Sequence, residues 1–480
     1  MSGPNRRPDF FGSRGRRTFW VAEFPERLSG FTGRPTEIPV SYLGSSVTQA
    51  VFRVSLIRCP AVSWDERWRA GVLFCPASRC CGQEKSVNLQ TESFSHVSPQ
   101  HRQMAVEIKK VTTRKDLKRF IRFNYEFYKG NPYSVPDLYD DMLNTFSREK
   151  NAAFEFCEAD YFLALRDGRI VGRVAAIINH RANEKWQKKQ VRFGWIDFVD
   201  EAEVSRALID TVKEWGRARG MTEIVGPLGF TDMDAEGMLI EGFDQLSTMA
   251  TTYNYPYYPG HMEALGFEKV TDWVEMKLYV PEQIPDKYQR VADIIRRKYD
   301  LRVRKIKSKR DVVRSGQAHE IFRLINEAYA PLFGYSEMTE RQIDQYVKMY
   351  IPILDLRMVT LVETAAGELV AVGISMPSLS RALQKAKGRL LPWGWFHLLR
   401  ALLWRKPKIL DLLLVAVKPE YQNKGVNALL FTDLIPVYQK MGFEYGETNP
   451  ELEANEKVQS QWQYLRTEQH KRRRCYGAAL

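Results

Sequence analysis

Leu412-Leu-Leu-Val-Ala-Val-Lys-Pro-Glu-Tyr-Gln-Asn-Lys-Gly-Val-Asn-Ala-Leu-Leu430 reads as a buried strand that runs through a glycine-containing turn into a helix. Residues 412–417 have the length and β-branched content of a strand, Pro419 stops it, and Val426, Leu429, Leu430 and Leu434 resume at helical spacing. A helix therefore starts near Gly425. Its first turn carries N–H groups without intrahelical partners and the positive end of the macrodipole, so an anion over residues 422–427 meets converging donors. Gly425 has no side chain to hold a pyrophosphate away.

This stretch resembles the acyl-CoA motif of the GNAT superfamily of N-acyltransferases, Gln/Arg-x-x-Gly-x-Gly/Ala after the fourth strand. It stands here as Gln422-Asn423-Lys424-Gly425-Val426-Asn427. Asn427 replaces the last small residue, a departure that bears on the tightness of the turn, and Ala428 follows at once. The resemblance implies that these six residues hold the pyrophosphate of acetyl-CoA or a longer acyl-CoA, used as co-substrate. It also implies that the backbone of Leu414, Val415, Ala416 and Val417 polarises the thioester, and that Asn455, opening the last helix, borders the cofactor. An ordinary strand-turn-helix connection is the competing reading of so short a match.

An internal repeat strengthens the resemblance. Val106-Glu-Ile-Lys-Lys-Val-Thr-Thr-Arg-Lys-Asp-Leu117 aligns without gaps to Leu301-Arg-Val-Arg-Lys-Ile-Lys-Ser-Lys-Arg-Asp-Val312, each an alternating strand entering a helix. Arg122, Glu126 and Tyr128 recur as Arg323, Glu327 and Tyr329. Hairpins over 161–175 and 359–373 follow, with Asp167-Gly168 and Ala366-Gly367 at their turns. A strand (193–199; 412–417), a helix (204–219; 426–440) and a glycine before a further strand (Gly220; Gly442) complete the parallel. Asn254 and Asn455 each open a final segment. Strand, helix, hairpin, strand, helix, strand, helix, strand is the GNAT order. The fold class expected is therefore α/β (α+β): two tandem GNAT folds over 104–283 and 284–480, each a mixed, mostly antiparallel sheet flanked by helices.

The two copies differ where phosphate would bind. In place of 422–427 the first has Val199-Asp-Glu-Ala-Glu-Val204, with three acids and no glycine, and carboxylates repel a pyrophosphate. It reads as a degenerate structural or substrate-recognition partner. Its insertion over 226–244 is rich in glycine and acids and is expected to form a long loop, either receiving an amine-bearing substrate or lying solvated without a ligand.

The chain has 480 residues, 44% hydrophobic, enough for several ordinary cores. Its net charge is +13, of which residues 1–103, with 13 Arg, one Lys and eight acids, supply +6. The basic residues fall in separate runs with no nucleic-acid-binding motif, so nucleic acid is not expected as a partner. Residues 1–103 hold four of the six cysteines and no repeat element. They read as an extension, disordered or upstream of a start at Met104; a zinc arm is the alternative, but CxxC pairs with matching histidines are missing and no metal is expected. No charged start followed by an apolar run marks a secretory signal, and with only Cys157 and Cys475 in the repeats a cytoplasmic location is expected.

The resemblance implies direct attack of an amine on the thioester, with a base for the amine proton and often a tyrosine for the thiolate. Glu447, in Gly446-Glu-Thr-Asn-Pro-Glu451, is the candidate base, with a structural carboxylate as the alternative. The implied tyrosine position, two turns after Asn455, holds Trp462; Tyr464, two residues on, is the candidate acid. Between hairpin and fourth strand the second copy carries an apolar, aromatic segment, 390–407, with basic residues beside it. It suits an acyl chain or a peripheral membrane contact, or packing against the other copy; it is too short and interrupted to span a bilayer. His397 within it reads as structural. The function expected is an acyl-CoA-dependent N-acyltransferase acting on an amine-bearing small molecule or lipid precursor, with a non-catalytic acyl-CoA-binding or protein-interaction module as the alternative.

Overall fold

The computed structural model describes residues 105–404 and 407–480. The readings given for 1–103 and Met104 lie outside the described residues.

The first repeat begins with β1 (Glu107–Lys110) and α1 (Arg114–Phe127), whose first turn is capped by the Thr113 side chain accepting from the Asp116 N–H. The hairpin of β2 (Cys157–Arg166) and β3 (Arg169–Asn179) turns at Asp167 and Gly168, both left-handed at φ 51° and 72°, as a two-residue turn requires. Next come β4 (Gln190–Phe198), α2 (Ala202–Arg217), β5 (Glu223–Gly226), the short β6 (Met238–Glu241), α3 (Tyr258–Ala264) and β7 (Glu268–Tyr279). The amphipathic face of α2 buries Val204, Leu208, Ile209 and Val212 on the sheet.

The second repeat is entered through α4 (Asp286–Lys298) and repeats the pattern. It comprises β8 (Leu301–Arg304), α5 (Gln317–Tyr329), α6 (Glu340–Tyr350) and the hairpin of β9 (Val359–Thr364) and β10 (Leu369–Pro377). Two short helices, α7 (Ser380–Ala386) and α8 (Gly394–Leu399), precede β11 (Ile409–Val417) and α9 (Asn427–Met441). Then follow β12 (Tyr445–Thr448), β13 (Glu451–Leu452), α10 (Glu456–Gln459) and β14 (Thr467–Ala479). Where the sequence suggested one helix from Asn455 past Tyr464, α10 is a single turn continued by a 3-10 turn ending at Trp462.

One sheet runs through both repeats in the order β1-β2-β3-β4-β5-β14-β7-β12-β11-β10-β9-β8. Within each repeat the fourth and fifth strands are parallel, β4 with β5 and β11 with β12, and the hairpins are antiparallel. The last strands are exchanged. β14, the end of the second repeat, lies beside β5 of the first, with Tyr476 opposite Gly226. β7, the end of the first, lies beside β12 of the second, with Tyr445 opposite Tyr279. The two exchanged strands then pair with each other over most of their length. The sheet therefore does not divide at residue 283, where the chain passes from β7 to α4.

Candidate functional site

β11 and β12 pair only from Ile409 opposite Tyr445 to Leu412 opposite Thr448. β11 continues to Val417 against β10 on its other edge. Past Leu412 the parallel strands part, leaving a fork. The register against β10 skips from Ile374–Leu414 to Ser375–Leu412, so Leu413 is a bulge at the fork's apex, where extra twist turns the strand away from its neighbour. Tyr329 at the end of α5 donates its hydroxyl to the Val415 carbonyl (3.1 Å) and the Asn449 side chain donates to that of Leu413 (2.8 Å). A strand residue presents its N–H and C=O on the same side, so the Val415 N–H points into the fork with its carbonyl.

Above the fork lies the glycine turn. Gln422 folds back to donate to the Val417 carbonyl (3.1 Å), Asn423 and Gly425 are left-handed (φ 59° and 82°), and α9 starts at Asn427 with no side-chain cap. The backbone N–H groups of Gly425, Val426 and Asn427 donate to no group among the described residues. Lys424, exposed, extends over the rings of Tyr299 and Tyr421. The residue types therefore fit a pyrophosphate: three free N–H groups at a helix start and one exposed lysine. Asn427 turns its amide N–H toward Gln461 (2.8 Å), tying the first turn of α9 to the 3-10 turn that carries Trp462.

Beneath the fork, between α9 and the sheet, is an apolar pocket partly open to solvent. Leu412, Val415 and Gly446 of the parting strands form its sheet side near the fork, Leu430, Phe431 and Leu434 its helical side. Gly373 and Gly446 keep it open: a Cβ at either would stand 3.2 Å from Leu434 or 3.0 Å from Leu410.

Of the acids on this side of the chain, Glu447 sits below the apex, its Oε2 accepting from Lys471 (3.4 Å) in a buried ion cluster with Glu275 and Arg473. Glu451, four residues on, opens β13 on the far arm of the fork, opposite Val274 of β7. Burial pushes its carboxyl up to about 8, against the lowering effect of the Trp462 indole N–H; the Tyr329 phenol is raised to about 12, mainly by burial, with the Glu451 charge adding to it. Sequence reasoning missed Glu451; the one signal was its place in Gly446-Glu-Thr-Asn-Pro-Glu451. Tyr464 is partly exposed, packed on Tyr288 and beneath the Lys287 ammonium, on the outer side of α4. The phenol at the fork is Tyr329, whose repeat counterpart Tyr128 donates instead to Asp197 (2.9 Å). Asn455 caps α10, accepting from the Val458 N–H.

The first repeat has the same fork, closed. The Leu228 N–H bonds the Phe193 carbonyl (3.0 Å), and the loop after β5 packs so closely that a Cβ on Gly226 or Gly194 would lie within 2.4 Å of a backbone oxygen. The acids of 199–204 are spoken for: Arg166 pairs with Glu201 and Glu203, and Asp200 with His261. The 226–244 insertion is therefore largely packed, burying Leu228, Phe230, Met238 and Leu239. Its Asp232 reaches the second repeat, accepting from the Ser336 N–H (3.0 Å). Asp232 and Asp234 are pushed up to about 6 by burial, opposed by Arg192 and by backbone N–H bonds, and Glu236 is raised further by burial and by Asp232. These acids lie deep in the protein between the repeats while keeping some exposed surface.

Bulged fourth strand, parted fifth strand, uncapped glycine turn and two-fold repetition together define a tandem GNAT fold with one open fork. No protein-family model matches the chain. It is 27% identical over 376 residues to a bacterial ceramide synthase of Caulobacter vibrioides, spanning 77% of this chain and 96% of that one. It is 25% identical over 371 residues to Protein YghO of Escherichia coli, spanning 76% and 93%. A solved tandem GNAT protein from the clavulanic acid biosynthesis pathway aligns over 78% of this chain and 98% of its own at 14% identity and a TM-score of 0.45.

Proposed function

We propose that the chain is an acyl-CoA-dependent N-acyltransferase that works at the fork of its second repeat, moving a long acyl group onto the amine of a lipid precursor. The observation that carries this is the fork with free donors above it and an apolar pocket below, the polarity sequence of an acyl-CoA from pyrophosphate to chain. The similarity to a ceramide synthase supports a long-chain amino alcohol as acceptor, since a ceramide is the amide of such a base.

The chemistry follows from the residues. The amine nitrogen attacks the thioester carbon, whose oxygen takes negative charge next to the Val415 N–H. Glu451 accepts the amine proton, and a carboxylate with its pKa near 8 is well matched to that task. The C–S bond breaks, and the CoA thiolate takes a proton from the Tyr329 hydroxyl, which solvent restores. Nothing in these steps requires a metal.

The test is to incubate the full chain with palmitoyl-CoA and sphinganine and to look for the amide by mass spectrometry. Amide formation with release of one CoA is expected. Tight acyl-CoA binding without turnover on any amine would favour the non-catalytic reading, for which Trp462 in the implied tyrosine position is the supporting observation.

A further inference from the structure

Residues 378–410 contain eight Lys and Arg and no Asp or Glu. The structure divides this segment into a buried underside and an exposed crest. Ala382, Leu383, Leu390 and Leu398 are in the core of the second repeat. The first repeat grips the same underside: Gln384 donates to the Pro132 and Ser134 carbonyls (3.0 and 2.9 Å), and the Gly388 carbonyl accepts from the Tyr139 N–H (2.8 Å). Packing against the other copy is thus real, but it uses only one side. On the other, Leu391, Trp393, Leu403 and Trp404 are 61–71% exposed, and Phe396 is 38% exposed beside Trp404. Half of the large exposed hydrophobics among the described residues fall in these 14 positions. Arg381, Lys385, Lys387, Arg389 and Arg400 are exposed around them.

We propose that this crest docks on the surface of an anionic lipid bilayer. Tryptophans and leucines standing out of a fixed base can enter the acyl boundary, while cations around them stay at the headgroups and meet negative lipid charge. A second copy of the chain is disfavoured as occupant, because face-to-face association would set the five exposed cations of one crest against the five of the other. Contact is peripheral, since no helix among the described residues is long and apolar enough to cross a membrane. The inference does not depend on catalysis at the fork, although a surface-bound enzyme would meet lipid amines where they reside.

The experiment is sedimentation of the full chain with phosphatidylcholine vesicles, with and without phosphatidylglycerol. Binding is expected with phosphatidylglycerol, falling as salt rises. Trp393→Ser with Trp404→Ser, and separately Lys387→Glu with Arg389→Glu, should each weaken it roughly tenfold or more. All four side chains are exposed, so melting curves by circular dichroism should match the parent. The proposal is overturned if phosphatidylglycerol vesicles bind no protein, or if neither pair of substitutions changes binding. A dimer dissolved by the tryptophan substitutions in the absence of lipid would equally overturn it.

Discussion

Trp462 donates its indole N–H to both oxygens of Glu451, at 3.1 and 3.3 Å. The residue that replaces an expected tyrosine thus orients the carboxylate in the fork, and its bond lowers a pKa that burial raises to about 8. If Glu451 is the base, log kcat/KM should climb one unit per pH unit below about 8 and level off above it. Glu451→Gln should lower kcat about 10²- to 10⁴-fold and abolish that limb. Trp462→Phe removes the lowering bond, so the limb should move to higher pH and activity at pH 7 should fall. An unchanged pH profile in Glu451→Gln would remove it from the mechanism.

The cradle can be tested by charge alone. Lys424 is exposed and ordered only by two tyrosine rings, so Lys424→Glu should leave the fold intact while placing an anion where phosphates gather. CoA binding should weaken at least roughly tenfold, about 1.4 kcal/mol. Glu201→Gln in the first repeat should bind CoA like the parent, because that fork is closed by its own loop. Calorimetric titration distinguishes the two; equal affinities in all three proteins would displace the cradle from residues 422–427.

Gly425 serves packing as well as ligand approach. It is left-handed, and a Cβ there would stand 2.8 Å from Cγ1 of Val291 on α4. Gly425→Ala should therefore lose about 1–2 kcal/mol from backbone strain, plus whatever the Val291 contact adds. Val291→Ala in the same chain should recover the contact share and leave the strain. Urea melts of the two single variants and the double variant measure this; simple additivity would mean the contact carries no energy.

The strand, turn and helix of 409–441 were legible because polarity, proline and glycine act locally, and the repeat was legible because both copies keep the same order of elements. Three things were not. Strand exchange leaves no local trace, since the alternation along β7 and β14 marks them as strands without naming their neighbours, which tertiary packing decides. Glu447 and Glu451 flank the same turn and read alike in sequence; what separates them is depth and a partner, Glu447 being tied to Lys471, which comes from the exchanged strand. The first copy's departure from the glycine motif is legible in its acids; its closed fork, built by glycines against Phe193 and Leu228, appears only in three dimensions.

Chain-length preference should be set by the pocket under α9. Leu434 lines it two helical positions short of Pro436, with Gly373 opposite. Leu434→Phe should shorten the preferred acyl group, lowering kcat/KM for palmitoyl-CoA severalfold while sparing octanoyl-CoA, at a stability loss of about 1–3 kcal/mol from overpacking. Competition between the two thioesters, read as product ratio, checks it. An unchanged ratio would place the acyl chain elsewhere.

Glu275 tests the strand exchange. It stands on β7 of the first repeat, fully buried, with Arg473 at 2.6 Å and Lys471 at 2.8 Å, both fully buried on β14 of the second. Burial alone would raise its pKa, yet the two cations hold it down to about 2, below the ordinary 4.5. A depressed carboxyl stabilises the fold above its unfolded pKa and loses that contribution as pH falls from 4.5 toward 2. Glu275→Gln leaves buried Arg473 without its carboxylate and Lys471 with Glu447 alone, and should cost about 3–5 kcal/mol at pH 7, a gap that narrows as the parent is taken below pH 4.5. Because the pair of strands belongs to both repeats, the loss should appear in one transition, with probes in the first repeat (Trp215) and the second (Trp462) melting together. Two separated transitions in the parent, only one of them moved by Glu275→Gln, would show that each repeat holds its own sheet and that the exchange contributes nothing to their cooperativity.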